Sequence, residues 1–187
     1  MEGTTMQMQL KKTYAALGTL MLSAGLAAVP TVASAQDSAD SGRAGGRDTV
    51  AVAKLSHGQA AARFRSAGIK WRSSGGCSDR GRANCTSFTQ LNLATARGAI
   101  TLKSSSRCAL TITGGTETGH ASGRYSHWNG YKLDFSPTSC LTNHIKRNFT
   151  RIADRGDGAK QWRAGSGNIY ARESNHWDVT FYNCGGC

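Results

Sequence analysis

Apolar residues recur at helical intervals in three parts of the chain. Ser56 precedes an alanine-rich run with this spacing, which predicts a capped short helix that ends near Gly68. Thr86 is a candidate cap for a second helix, whose apolar pattern is interrupted at Gly98. Residues 139–149 carry the same spacing and predict a third helix.

Short stretches of alternating apolar and polar residues fill much of the second half. Residues 108–113 alternate and are rich in β-branched side chains, which predicts a strand. A polar, glycine-rich loop is predicted at 116–129, and further strands at 131–135, 169–171 and 177–182. Because the helices come first and the strands are short, the pattern favours an α+β fold. We expect a small antiparallel sheet flanked by helices.

The N-terminal pattern is typical of an export signal. Lys11 and Lys12 precede an apolar, small-residue run at 13–32, and Ala-Ser-Ala at 33–35 provides a cleavage site. A membrane anchor is the alternative, but Pro30 interrupts the run and no stop-transfer cluster follows. We therefore expect a secreted protein without stable membrane insertion. The predicted organisation is a signal peptide, a flexible leader and one disulfide-stapled domain, at residues 1–35, 36–54 and 55–187.

All the cysteines follow the predicted signal, and their number is even, which predicts three disulfides. Six cysteines allow fifteen pairings. Local closure favours Cys77–Cys85 and Cys184–Cys187 and leaves Cys108–Cys140 as the third pair. The Cys-Gly-Gly-Cys sequence at 184–187 could instead be a redox pair or half of a metal clip. An oxidising compartment and the lack of a second such motif disfavour both alternatives.

Basic residues outnumber acidic ones, and the formal net charge is +12. Such a charge favours polyanionic partners, among them anionic cell-wall polymers. The basic residues are scattered, however, and they form neither a Lys/Arg run nor a known nucleic-acid motif, so no nucleic acid is expected as a partner. A solvated cationic surface without a specific partner is the alternative.

Two short motifs carry the candidate chemistry. His127 and Asp134 are seven residues apart, and Glu173 precedes His176 by three residues. Two imidazoles, one carboxylate and a separate glutamate are the set that a hydrolytic zinc site uses. Such a site has three protein ligands, an open position for water and a nearby general base.

The order His-x6-Asp and then Glu-x-x-His resembles the zinc D-Ala-D-Ala carboxypeptidase and L-Ala-D-Glu endopeptidase family, which shares its fold with the hedgehog signalling domain. The first family motif is matched by His127, Gly130 and Asp134, and the second by Glu173 and His176. The resemblance implies that His127, Asp134 and His176 bind one Zn²⁺ and that Glu173 is the catalytic base. It also implies a hedgehog-like fold and peptidoglycan stem peptides as substrates.

The sequence departs from the family pattern in the strand before the first motif. The family carries an arginine there that holds the substrate, but residues 113–116 contain none. Arg107 and Arg124 are candidate substitutes. His120, Ser126 and Asp178 are expected to orient the ligands or contact the substrate.

Two other functions remain open at this stage. A non-catalytic, zinc-containing binding module on the same scaffold would explain the missing arginine. A cationic antimicrobial or nucleic-acid-binding protein would rest on the charge alone and would bind in a strongly salt-dependent way.

Overall fold

The structure is a computed structural model that describes residues 52–182. The predicted signal peptide, nearly all of the leader and the Cys184–Cys187 pair lie outside the described residues. The described part belongs to one compact unit, and in it no helix has the length and apolar character needed to cross a bilayer.

The first helix, α1 (His57–Ser66), begins where the sequence predicts. The Ser56 hydroxyl accepts a hydrogen bond from the Gln59 backbone N–H at 3.2 Å, and the Gln59 side chain accepts one from the Ser56 N–H at 2.9 Å. This reciprocal pair satisfies two backbone donors that the first turn leaves without partners. The apolar face of α1 packs Phe64 into the core.

The second helix differs from the prediction. It is α2 (Leu93–Ser106), with Asn92 before its first turn, and it continues through Gly98. The prediction that it begins at Thr86 is wrong, because the backbone N–H groups at both ends of the segment 86–90 bond to distant carbonyls instead of helical ones. The Thr86 N–H donates to Cys77, and the Gln90 N–H donates to Leu55. Two short paired strands lie beside this segment, β1 (Lys54–Leu55) and β3 (Leu91–Asn92).

The expectation of a small antiparallel sheet needs correction, because the sheet has seven strands among the described residues. In spatial order they are β2 (Lys70–Trp71), β4 (Thr111–Gly114), β5 (Lys132–Phe135), β9 (Trp177–Thr180), β8 (Ile169–Arg172), β7 (Lys160–Arg163) and β6 (Thr150–Ile152). The β2–β4 pair is parallel and the other pairs are antiparallel. The α+β class is confirmed, and the hedgehog-like fold stays a prediction.

The third helix, α3 (Ser139–Asn148), follows β5 and buries Leu141 and Ile145. A disulfide between Cys108 and Cys140 joins the segment before β4 to this helix. A second disulfide joins Cys77 to Cys85, which are eight residues apart in the sequence. These are the two pairs that the sequence favoured within the described residues.

Candidate metal centre

The candidate site lies at two adjacent inner strands of the sheet. Strands β5 and β9 pair so that Asp134 stands opposite Asp178. Both carboxylates are buried, and each has one oxygen, Oδ1, with no hydrogen-bond partner. Buried polar atoms in folded proteins are almost always paired. Two such oxygens on paired strand residues could accept a cation.

A tight turn between β4 and β5 holds His127 over Asp134. The Gly130 N–H donates to the His127 carbonyl at 2.8 Å, and the Tyr131 N–H donates to the Ser126 carbonyl at 3.1 Å. Gly130 has a φ of +77°, and a Cβ there would lie 2.3 Å from the Gln90 carbonyl oxygen. Only glycine fits this turn, which gives a structural reason for its place in the motif.

The His127 ring is oriented by a backbone carbonyl. Its Nδ1 lies 2.7 Å from the Gly115 oxygen, and its Nε2 lies 3.3 Å from Asp134 Oδ1. Because a carbonyl only accepts hydrogen bonds, Nδ1 carries the proton and donates it. In the neutral ring, Nε2 then presents its lone pair to the space beside Asp134.

His176, in the second motif, approaches the same Asp134 oxygen as His127. It lies in the bend before β9, where the Glu173 N–H donates to its carbonyl at 3.1 Å. Its Nδ1 lies 2.7 Å from Asn175 Oδ1, and its Nε2 lies 3.5 Å from Asp134 Oδ1. As in His127, an acceptor at Nδ1 leaves Nε2 free to bind a metal.

His120 also reaches Asp134, which the sequence did not indicate. Its Nδ1 lies 3.9 Å from Asp134 Oδ2, and its ring stacks on His127 with 3.8 Å between centroids. The ligand atoms of His120, His127 and Asp134 all lie within 4.8 Å of one another, so this group could hold a metal ion. His120 was expected only to orient a ligand or contact substrate, and it lies in ligand range instead.

Charge in the site is balanced between buried partners. Burial by itself lowers the pKa of His127, but the carboxylates of Asp134 and Asp178 outweigh it and raise that pKa above its ordinary value. Burial by itself raises the pKa of Asp134, but the nearby imidazoles, His127 foremost, outweigh it and lower the pKa. Each of these two groups therefore stabilises the charged form of the other.

A cleft of about 440 Å³ opens in front of these residues. Glu173 lines it, with Oε2 3.4 Å from His176 Nε2. The sequence predicted that Glu173, Asp134 and both motif histidines belong to one site. All four residues line this cleft.

Two cations in the cleft were missed by sequence reasoning. Arg155 donates to Glu173 Oε1 at 2.5 Å and to Asp178 Oδ2 at 2.7 Å, and it also binds Asp157. Hydrogen bonds from the guanidinium to Asp157, and then to Glu173 and Asp178, raise the pKa of Arg155 further above its ordinary value. Lys132 Nζ lies 2.7 Å from the same Asp178 oxygen. Arg155 is separated in the chain from both motifs, and its Arg-Gly-Asp-Gly context signals only a turn.

The remaining predicted residues lie elsewhere. Ser126 is buried, and its hydroxyl accepts from the Asn129 N–H at 3.2 Å. Arg124 is exposed, lies over the Tyr125 ring, and is not part of the cleft lining. Glu117 follows directly after residues 113–116, the segment where the family carries an arginine. Its buried carboxylate accepts hydrogen bonds from the backbone N–H groups of Ser87 and Gly115. Neither Arg124 nor this segment thus supplies a cation to the cleft.

No protein-family model matches the sequence, and neither a curated protein nor a solved structure matches it.

Proposed function

We propose that the protein is a secreted zinc-dependent peptidase that hydrolyses a peptide bond in peptidoglycan, as a carboxypeptidase or an endopeptidase. The observation that carries the proposal is the buried, unpaired Asp134 Oδ1, which faces two imidazole Nε2 atoms at 3.3 and 3.5 Å. His127, Asp134 and His176 would be the zinc ligands. Glu173 would be the general base.

The two donor spacings measured from Asp134 suit zinc, although His176 is not in the group of residues whose ligand atoms all lie within 4.8 Å of one another. Tetrahedral zinc with bonds of about 2.0–2.1 Å holds neighbouring ligand atoms about 3.3 Å apart. Both distances from Asp134 Oδ1 lie close to that value. The Nδ1 atoms of His127 and His176 each have an oxygen partner, at Gly115 and Asn175, as zinc-binding histidines usually do.

The stacking of His120 argues for His176 as the third ligand. A metal bound by imidazole lies in the plane of the ring, along the nitrogen lone pair. The His120 and His127 rings are only 15° from parallel and 3.8 Å apart, so their planes do not meet near both nitrogens. The His120 and His127 rings would have to reorient before one ion could bind both, whereas no such stacking involves His176 among the described residues.

A zinc ion held here supplies Lewis-acid activation of water and of the scissile carbonyl. Glu173 would accept the proton of the attacking water at Oε2 and deliver it to the leaving amine. Arg155 holds the other oxygen of that carboxylate at 2.5 Å, which fixes the direction in which Oε2 points. Proton transfer of this kind contributes about 10²- to 10⁴-fold to the rate.

The surroundings agree with an extracellular substrate. Disulfides form and persist in oxidising compartments, and two are present in the described residues. The formal charge of +12 would concentrate the protein on anionic wall polymers in a salt-sensitive way.

The test is digestion of purified peptidoglycan with and without a zinc chelator, with the released fragments identified by mass spectrometry. We expect new termini that disappear with chelator and return when zinc is added in excess. The identity of the termini names the bond. No new termini from folded, zinc-loaded protein would overturn the peptidase proposal.

A non-catalytic, zinc-containing binding module is the second candidate. It is favoured by Glu173, whose carboxylate is already paired with Arg155, and by Glu117, which lies next to the segment where the family arginine is expected. This module would bind zinc and peptidoglycan without chelator-sensitive cleavage. The same digestion, combined with a sedimentation assay for binding to the insoluble wall, separates the two candidates.

A further inference from the structure

Trp128 follows the candidate ligand His127 directly and is 49% exposed, more than any other large apolar side chain among residues 52–182. Leaving an indole in water forgoes the stabilisation that its burial would give. Exposure alone is common and needs no explanation. Here, however, other residues hold the exposed ring in place.

Arg80 fixes the indole from one side. Its guanidinium lies 3.6 Å from the ring centroid, a close cation–π contact. Its Nε donates to the Thr116 carbonyl at 3.2 Å, and its Nη2 donates to the carbonyl of Trp128 itself. These bonds anchor Arg80 to backbone, so the ring rests on a fixed support. Such preorganisation lowers the entropic cost of binding a ligand.

The loop that carries Arg80 is itself constrained. The Cys77–Cys85 disulfide closes it, and the Thr118 N–H donates to the Arg80 carbonyl at 2.8 Å. The disulfide therefore has a consequence beyond stability, because it limits the positions from which Arg80 can support Trp128.

A depression of about 230 Å³ borders the indole, and Arg80 is not part of its lining. Apart from Trp128 the lining is mostly polar, and it includes Thr118, Ser122, Gly123, Ser126 and Asn129 together with Glu117 and His120. Gly119 and His120 line both this depression and the candidate metal cleft, so the two spaces are neighbours.

We propose that this depression binds one sugar ring of an N-acetylhexosamine glycan. A pyranose has an apolar face of C–H groups that stacks on an indole, and hydroxyls around its edge that need polar partners. The depression offers both, in the composition usual for small-molecule sites. An aliphatic side chain would need an apolar lining, and an anion would need free cations, whereas the Arg80 donors are directed to carbonyls.

The choice of glycan rests on the proposed function, since the sugar would belong to the polymer that carries the stem peptides. The site itself needs neither metal nor turnover. Binding is therefore measured by calorimetric titration of the protein with the β-1,4-linked N-acetylglucosamine tetramer, in chelator and again with zinc.

We expect saturable binding in both conditions, and affinity at least about tenfold weaker in Trp128→Ala, a loss that corresponds to one good contact. Arg80→Met should weaken binding less, because it removes the support and leaves the ring. Trp71→Phe is the matched control. Trp71 is a half-buried tryptophan with Arg65 5.4 Å from its ring, and it borders a different depression.

Equal affinity in Trp128→Ala and the unchanged protein would overturn the proposal, as would the absence of binding at the solubility limit of the tetramer. Equal losses in Trp71→Phe and Trp128→Ala would also overturn it, because the effect would then not belong to this site. The peptidoglycan digestion gives an independent answer. Tetramer binding without cleavage retains the sugar site and removes the peptidase, and cleavage without tetramer binding does the reverse.

Discussion

Asp134 Oδ1 lies 3.3 Å from His127 Nε2 and has no hydrogen-bond partner, although the Asp134 side chain is buried on an inner strand. His127 Nδ1 is held by the Gly115 carbonyl, so the ring cannot turn away without breaking that bond. The pair thus keeps two candidate metal-ligand atoms a fixed distance apart. Such preorganisation is what a site with useful metal affinity requires.

The first prediction concerns the ligand set. His127→Ala and Asp134→Asn should each weaken zinc affinity by more than about 100-fold, because losing a ligand costs more than losing the partner that orients one. His176→Ala should act in the same way, whereas His120→Ala should weaken affinity less than about tenfold. Competition with a chromogenic chelator measures the affinities, and circular dichroism checks that each variant is folded.

The opposite order of zinc affinities would identify a different ligand set. If His120→Ala loses zinc and His176→Ala retains it, the ion is held by the His120, His127 and Asp134 group, and the stacked rings must reorient on binding.

The second prediction separates catalysis from metal binding. Glu173→Ala should retain zinc and lose about 10²- to 10⁴-fold in turnover, since its carboxylate would move the proton and not bind the ion. Asp154→Asn is the matched control, because Asp154 is an exposed acidic residue whose partner is Arg151. Turnover retained in Glu173→Ala would show that another group is the base.

Much of the fold was predictable from local pattern. The capped start of α1 and the alternation of β4, β5 and β9 are properties of contiguous residues, and each was expected close to its observed place. The strands β1, β2, β3, β6 and β7 were not predicted. They are two to four residues long, and their positions depend on pairing with distant strands more than on their own sequences.

Part of the candidate site was likewise predictable from the sequence, and part of it was not. His127, Asp134, Glu173 and His176 belong to two short motifs, and the structure brings them together. Arg155 is placed by a tertiary contact with Asp178 at 2.7 Å, 23 residues away in the sequence. No spacing in the sequence encodes that contact, which is why a family pattern could suggest an arginine at 113–116 but not the one at 155. His120 lies 3.3 Å from Glu117, three residues earlier, which is the same Glu-x-x-His spacing that Glu173 and His176 have.

The third prediction uses Gly98, which was interpreted as a helix break and is a packing site. A Cβ at Gly98 would lie 2.4 Å from Phe181 Cδ1, so Gly98→Ala should lower the free energy of unfolding by about 1–3 kcal/mol. Gly58→Ala is the control, because Gly58 is also helical and a Cβ added there would have no heavy atom within 4 Å. It should be neutral or stabilise by up to about 1 kcal/mol. Urea unfolding measures both, and a stabilising Gly98→Ala would contradict the packing.

The fourth prediction concerns acid stability and Glu117, which is 2% exposed. Burial by itself raises the pKa of this carboxyl, but hydrogen bonds from His120 and from the Ser87 and Gly115 N–H groups outweigh it and hold the pKa below its ordinary 4.5. The unfolded chain then binds a proton at higher pH than the folded one. The contribution to stability is complete above pH 4.5 and is lost as pH falls through the folded pKa.

Glu117→Gln tests this, because the amide keeps the shape and does not titrate. At neutral pH it should cost about 1–3 kcal/mol of unfolding free energy, since one carboxylate oxygen is replaced by a donor that faces backbone N–H groups. The difference between the two proteins should then shrink as pH falls below 4.5, where Glu117 itself becomes protonated. Urea unfolding over a pH series measures that difference. A difference that stays constant down to acid pH would show that the Glu117 charge contributes nothing to holding the loop before His120.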